Sequence, residues 1–129
     1  MDVEPVNGLL DTHALLWWIT NDRRLSRRAR EHIASGDILV SVVSTWEIEI
    51  KRGLGRIEAD MRAILDEVSG TEGFHWLDIR PSHVATLAEL APLHRDPFDR
   101  MLVSQAQQEH VALISRDRDV RRYPVEVIW

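Results

Sequence analysis

The chain has 129 residues, 44% of them hydrophobic and 29% charged, which predicts one soluble globular domain rather than a disordered or fibrous chain. The absence of cysteine excludes disulfide scaffolds, thiol nucleophiles and cysteine-ligated zinc, and it fits a reducing compartment. The net charge of −5 argues mildly against a nucleic-acid partner, although the distribution of charge matters more than its sum.

The N-terminal region shows no targeting signal. Residues 1–8 are acidic and polar, and the longest apolar stretch near them, residues 14–19, is far shorter than a signal-peptide core or a membrane span. We therefore expect a cytoplasmic protein with no membrane partner.

Short apolar runs mark the predicted strands. These runs lie at residues 8–11, 37–43, 74–79, 111–115 and 125–128. The run at residues 37–43 is β-branched and almost wholly apolar, as expected of a central parallel strand covered on both faces, and Ser44 ends it. The last run is expected at an edge of the sheet.

Amphipathic segments separate these strands. Apolar periodicity predicts helices at residues 14–19, 25–34, 45–54, 61–68, 81–92 and 97–106. Ser26 is the expected N-cap of the second helix, and Pro81 opens the fifth. Alternation of strands and helices predicts an α/β sandwich with a largely parallel sheet, because parallel neighbours need a crossover connection.

Four carboxylates lie where this fold places its functional sites. Asp11 ends the first strand, Asp117 follows the strand at residues 111–115, and Glu47 and Asp99 lie in the first turns of predicted helices. Ligand sites of such folds lie outside the carboxyl ends of the strands. Converging carboxylates repel one another unless protons or a divalent cation neutralise them. Such an oxygen cluster suits Mg²⁺ or Mn²⁺.

Each acid also has an ordinary structural interpretation. Asp11 could cap backbone amides in a turn, and Ser44 to Glu47 matches a capping box. Asp96, followed by proline, could cap the sixth helix, with Asp99 complementing the helix dipole.

The helical register favours a metal site over capping alone for two of the acids. Asp99 is in register with Leu102 and Ala106, and Glu47 with Ile50 and Leu54, so both acids are expected on the apolar side of their helices. Acids from separate segments that meet on a buried side are costly unless a shared cation neutralises them.

Four stretches together resemble one family. "LLDTHALLWW", "STWEIEIK", "HRDPFDRMLVSQA" and "LISRD" occur in this order over nearly the whole chain. The set resembles the PIN-domain ribonucleases, specifically the VapC toxins of bacterial type II toxin–antitoxin modules. The resemblance implies a single PIN domain over residues 1–129, built as an α/β/α sandwich around a mainly parallel sheet of four to five strands.

The resemblance also implies roles for the acids. Asp11 and Asp99 would bind Mg²⁺ or Mn²⁺ directly, while Glu47 and Asp117 would act through water or a second ion, and activated water would attack a phosphate of RNA. Asp119 is a rival to Asp117 for the fourth place. Supporting roles are expected of Ser115, which would orient a ligand carboxylate or water, of Asp96, which would cap its helix, and of His13.

Several neighbouring side chains carry expectations of their own. His13 is expected to be neutral and bonded to the backbone rather than to act as a base. Arg95, Arg100 and Arg116 are expected to guide RNA, whereas the remaining arginine clusters are interpreted as solvated faces. The tryptophans at positions 17, 18 and 46 are interpreted as core and interface packing.

The family's partners would be RNA, a cognate VapB-type antitoxin and a second copy of the chain, giving a homodimer and toxin–antitoxin hetero-oligomers.

Two other enzyme and signalling classes do not fit the sequence. Haloacid-dehalogenase-like phosphatases need a second aspartate where this chain has His13. Response-regulator receivers need a lysine after the last strand, whereas Lys51 lies in a predicted helix. A catalytically weak PIN-like module that binds RNA or protein remains an alternative.

Overall fold

A computed structural model describes residues 8–129, so the polar segment at residues 1–7 lies outside the described residues. The strands are β1 (Gly8–Leu10), β2 (Ile38–Ser41), β3 (Phe74–Leu77), β4 (Leu113–Ile114) and β5 (Val127–Ile128). The helices are α1 (Thr12–Ile19), α2 (Arg27–Ala34), α3 (Val42–Gly53), α4 (Met61–Gly70), α5 (Pro81–Glu89), α6 (Pro97–Glu109) and a short 3-10 helix (Val120–Arg122). None of the helices described is long and apolar enough to cross a membrane.

The five strands form one sheet in the order β3-β2-β1-β4-β5, and every neighbouring pair is parallel. Leu9 of β1 pairs with Leu39 of β2 on one side and with Leu113 of β4 on the other. The chain therefore leaves the central strand in opposite directions, which creates a crevice at the carboxyl ends of β1 and β4. This architecture confirms the predicted α/β fold, and β5 is the predicted edge strand.

The hydrophobic core has two layers, one on each face of the sheet. Alternate strand residues point to opposite faces, so Leu9 and Leu113 belong to one cluster and Leu10 and Ile114 to the other. The first cluster is completed by Leu102 and other residues of α6. The second is completed by side chains from α1, α2, α3 and α4, namely Leu15, Ala29, Ile33, Ile48 and Ile64. The result is a three-layered α/β/α sandwich.

The predicted starts of α2, α5 and α6 are confirmed, and that of α3 is wrong. Pro81 is the first residue of α5. Ser26 caps α2 and Asp96 caps α6, each by accepting a hydrogen bond from a backbone N–H. The run at residues 37–43 is not all strand, because β2 ends at Ser41, which caps α3 by accepting the N–H of Val43 at 3.0 Å. Burial of Val43 in the core beside α6 outweighs the preference of β-branched residues for strands.

A buried polar network joins α5 to α6. The His83 ring is fully buried, and its Nε2 lies 2.9 Å from Oε2 of Glu109. Its Nδ1 accepts the N–H of Arg80 at 2.9 Å, while the Gln105 side chain contacts His83 and accepts the Ser41 hydroxyl at 2.6 Å. These bonds satisfy polar groups that would otherwise be costly to bury, and they tie α6 to the end of β2.

Candidate active site

Asp11 follows β1 at the crevice and is 5% exposed. Its Oδ1 accepts the N–H of Ala14 at 2.8 Å, so it caps α1 as its structural interpretation predicts. Burial raises the pKa of Asp11 to about 6 in spite of hydrogen bonds from Ser115 and Ala14. Capping of α1 uses one backbone N–H on Oδ1, so it does not by itself exclude a second role for this carboxylate.

Glu47 is 3% exposed and lies on the inner side of α3, as its register predicts. Its Oε1 accepts the Thr12 hydroxyl at 2.5 Å, and Lys51 Nζ lies 2.6 Å from Oε2. The expected position in the first helical turn and the capping box with Ser44 are both wrong, because α3 begins at Val42 and Glu47 is in its second turn. Thr12 was missed in the sequence, although it directly follows Asp11.

Asp99 lies in the first turn of α6, in a partly buried position. Its pKa is raised to about 8, first by desolvation and then by the negative charges of Asp96, Asp11 and Glu47. Asp11 and Glu47 are therefore close enough to Asp99 for their charges to oppose its ionisation.

His94 joins Asp99 to the loop after β4. Its Nε2 lies 2.8 Å from Oδ2 of Asp117 and 3.2 Å from Oδ2 of Asp99. Because its Nδ1 accepts the N–H of Asp96 at 3.0 Å, the ring carries its proton on Nε2 and donates to these carboxylates. Burial raises the pKa of Asp117, but hydrogen bonds from His94 and Asp119 hold it below its ordinary value.

Asp117 and Asp119 can be compared as candidates for the fourth acid of the site. Asp117 contacts His94, and its charge contributes to the raised pKa of Asp11, whereas Asp119 is exposed and lies 3.9 Å from Arg122. Ligand atoms of His94, Asp117 and Asp119 nevertheless lie within 4.8 Å of one another. This geometry supports Asp117 as the fourth acid and adds His94 to the side chains that face the cluster.

Asp96 and Ser115 have supporting positions. Asp96 Oδ1 accepts the N–H groups of Phe98 and Asp99 at 2.8 and 3.1 Å, which fits the expected capping role. The fully buried Ser115 hydroxyl accepts the N–H of Asp117 at 3.0 Å and bonds to Asp11. Ser115 therefore links the acids at the ends of β1 and β4.

The donor set fits a hard divalent cation. It consists of carboxylate oxygens from four separate segments, and two of these acids, Asp11 and Asp99, have raised pKa values. A raised pKa means that the surroundings hold more negative charge, or less water, than an ionised carboxylate tolerates. Mg²⁺ and Mn²⁺ prefer oxygen ligands and would relieve this repulsion.

Tyr123 positions the segment that carries His94, and no sequence pattern singled it out. Its buried hydroxyl accepts the N–H groups of Leu93 and His94 at 3.0 and 2.9 Å and donates to the carbonyl of Ala91 at 2.7 Å. Three backbone groups of the α5–α6 connection thus share one phenol.

We expect Tyr123→Phe to lower the free energy of unfolding by about 1–3 kcal/mol, because the N–H of His94 loses its partner, while the Leu93 N–H and the Ala91 carbonyl keep only their bond to each other. Urea denaturation would measure this loss. As a control, Thr86→Val removes a surface hydroxyl bonded to Gln108 and should change stability by less than about 0.5 kcal/mol. A Tyr123→Phe variant as stable as the wild type would contradict this role.

Other predicted residues have mixed outcomes. His13 is exposed, and its ring stacks on Trp17 with centroids 5.2 Å apart, in place of the expected backbone bond. Arg100 donates to the carbonyl of Leu90 at 3.1 Å and its Nε is buried, which argues against the expected RNA contact. Arg95 and Arg116 are exposed.

The tryptophans differ among themselves. Trp17 and Trp18 pack in or against the core, as expected. Trp46 is 57% exposed, so it does not pack in the core, and the interface packing also expected of it stays a prediction. Its ring meets Phe98 edge-on, with centroids 5.1 Å apart.

Comparison with known proteins identifies the class. The PIN domain family model matches residues 8–126, and the chain belongs to this family. Within it, the chain is 30% identical to Ribonuclease VapC22 of Mycobacterium tuberculosis (strain ATCC 25618 / H37Rv) over 126 residues, covering 94% of this chain and 97% of that protein. The resemblance to the VapC proteins is thereby confirmed.

Solved structures support the same fold. VapBC2 from Rickettsia felis, bound to a promoter DNA fragment, matches with a TM-score of 0.68 and 15% identity, covering 95% of this chain and 97% of that chain. A toxin–antitoxin complex from Klebsiella pneumoniae matches with a TM-score of 0.65 and 16% identity, covering 92% of this chain and 93% of that one.

Proposed function

We propose that the protein is a metal-dependent endoribonuclease and the toxin of a VapBC-type toxin–antitoxin module. The observation that carries the proposal is the convergence of acids from four segments at the carboxyl ends of β1 and β4, with Asp11 and Asp99 shifted to raised pKa values. The ribonuclease name of the Mycobacterium tuberculosis relative supports RNA as the substrate.

Four acids would hold the cation. Asp11 and Asp99 would bind Mg²⁺ or Mn²⁺ directly, and Glu47 and Asp117 would act through water or a second ion. When bound, the cation supplies positive charge that makes water a better nucleophile and stabilises the charge developing on the phosphoryl oxygens.

Neighbouring side chains keep these carboxylates in place. The Thr12 hydroxyl and the Lys51 ammonium each contact one oxygen of Glu47, so this carboxylate has a fixed orientation. His94 lies between Asp99 and Asp117 and donates its Nε2 proton, which lessens the repulsion between them. Ser115 couples Asp117 to Asp11. Preorganised ligands of this kind are what a metal site requires.

The proposal includes partners. The fold is shared with VapBC2 and with a second toxin–antitoxin complex. We therefore assign a cognate VapB-type antitoxin to this chain, together with a homodimer and toxin–antitoxin hetero-oligomers. The toxin would act on RNA in the cytoplasm as a single PIN domain.

An RNA-cleavage assay tests the proposal. Purified protein is incubated with single-stranded RNA, and with DNA of the same sequence, in Mg²⁺, in Mn²⁺ or in EDTA. We expect cleavage of RNA with either ion, none in EDTA, and a higher melting temperature with Mn²⁺. Binding of RNA without cleavage, and without any thermal response to Mn²⁺, would instead identify a catalytically weak binding module.

A further inference from the structure

Trp17 of α1 contacts three side chains, two arginines and a histidine, through its ring. Cζ of Arg24 lies 5.0 Å from the centroid of its ring, Cζ of Arg116 lies 5.6 Å away, and the His13 ring stacks on it. The indole itself is only 9% exposed and packs edge-on against Trp129. Trp17 is thus a buried support that holds two guanidinium groups at the surface through cation–π contacts.

These basic groups border the acidic crevice directly. His13 is two residues beyond Asp11, and Arg116 lies between Ser115 and Asp117. Arg24 comes from the loop after α1, and the turn of this loop brings its guanidinium to the Trp17 ring. We define Arg24, Arg116 and His13 as the basic edge.

The two arginines differ in whether an acid pairs with their charge. Arg116 is exposed and forms no ion pair within residues 8–129. Arg24 is fixed by Asp22, which accepts its Nε at 3.1 Å and its Nη2 at 2.8 Å, so Nη1 is left for another acceptor. An immobilised guanidinium loses little conformational entropy when it binds a planar or tetrahedral anion.

A cavity of about 360 Å³ lies beside Trp17 and Arg24. Its lining includes His13, Trp17 and Arg24, the residues Thr12 and Lys51 that contact Glu47, and the acids Asp22 and Glu58. The cavity therefore places Arg24 and the two side chains that hold Glu47 around one depression of the surface.

We infer that the basic edge binds the phosphate backbone of the RNA substrate next to the cleaved bond. The inference rests on the proposed function. A crevice lined by Asp11, Glu47, Asp99 and Asp117 repels a polyanion, so the substrate needs cations beside the site to be held there. The guanidinium geometry suits phosphate, and the contacts would carry no base specificity.

RNA binding to the metal-free protein tests this role. A fluorescein-labelled single-stranded RNA is titrated in EDTA over a range of KCl concentrations, with anisotropy as the readout. We expect Arg24→Gln and Arg116→Gln each to weaken binding by roughly fivefold and to reduce the salt slope by about 0.7, the value for one lost phosphate contact with a single strand. The double variant should combine both losses.

Arg27→Gln is the matched control. It removes one arginine from the same stretch of sequence, but its side chain pairs with Glu31 and is 92% exposed, so RNA affinity should stay within about twofold of the wild type. A double variant with wild-type affinity and salt slope would overturn the inference. So would a double variant that loses binding of polyglutamate but keeps RNA binding, since this would indicate an acidic protein segment as the partner.

Metal-dependent cleavage separates this inference from the proposed function. A double variant that binds and cleaves RNA like the wild type refutes the basic edge and leaves the nuclease intact. A wild-type protein that binds RNA through Arg24 and Arg116 but never cleaves it refutes the nuclease and leaves the basic edge intact.

Discussion

Asp11→Asn and Asp99→Asn are each expected to lower RNA cleavage by about a thousandfold or more while the protein stays folded. Each change removes a negative charge and a cation ligand from the crevice but keeps nearly the same side-chain shape. At position 11 the amide oxygen can still accept the N–H of Ala14, because asparagine caps helices as well as aspartate does. Initial rates in Mn²⁺, with circular dichroism as a check of folding, provide the measurement.

Asp96→Asn is the control for this experiment. Asp96 lies three residues before Asp99 and contributes charge to the same cluster, but its Oδ1 is occupied by the N–H groups of Phe98 and Asp99. Asparagine should preserve this cap, so cleavage is expected to remain within about tenfold of the wild type. If Asp96→Asn were as inactive as Asp11→Asn, the claim that Asp96 caps α6 and does not bind the cation would be contradicted.

The convergence of the acids could be predicted because it depends on regular features. Short apolar runs identify the strands and helical periodicity the helices, and parallel strands bring their carboxyl ends to one edge of a sheet. Asp11 follows β1 and Asp117 follows its neighbour β4, so this rule predicts that the two acids lie at the same edge. The spacing of Asp99, Leu102 and Ala106 likewise predicts which side of α6 faces the core.

The β2–α3 boundary could not be predicted, because Val42 and Val43 have strand propensity and their helical state depends on packing beside α6. Contacts between segments distant in sequence were also missed. Tyr123 holds the backbone of His94 across 29 residues, and Asp117 contacts the His94 ring across 23. Such pairs have no fixed spacing, so periodicity carries no information about them.

Where the acids converge, the structure also predicts an unusual dependence of stability on pH. Folding raises the pKa of Asp99 from its ordinary value of 3.8 to about 8, and that of Asp11 to about 6. Between these limits the folded protein binds more protons than the unfolded chain does. The free energy of unfolding without metal should therefore fall as the pH rises from about 4 to about 8, with the Asp11 part of the fall complete near pH 6.

Asp99→Asn should remove most of this dependence. In EDTA at pH 8 we expect the variant to be more stable than the wild type by about 5 kcal/mol, because it no longer ionises a carboxyl among other acids. Near pH 4 the two proteins should be nearly equal. Urea denaturation across this range gives both values, and Asp66→Asn, which changes an exposed acid of α4, should match the wild type throughout.

The same charge that destabilises the metal-free protein is what a cation would use. At pH 8 Mn²⁺ should stabilise the wild type strongly, since it binds only the folded state and replaces the protons that the acids have lost. The Asp99→Asn variant should gain much less, so that saturating Mn²⁺ reverses the order of stability of the two proteins. A variant less stable than the wild type in EDTA at pH 8 would show that Asp99 makes a favourable structural contact, and that its repulsion by Asp96, Asp11 and Glu47 is not the dominant effect.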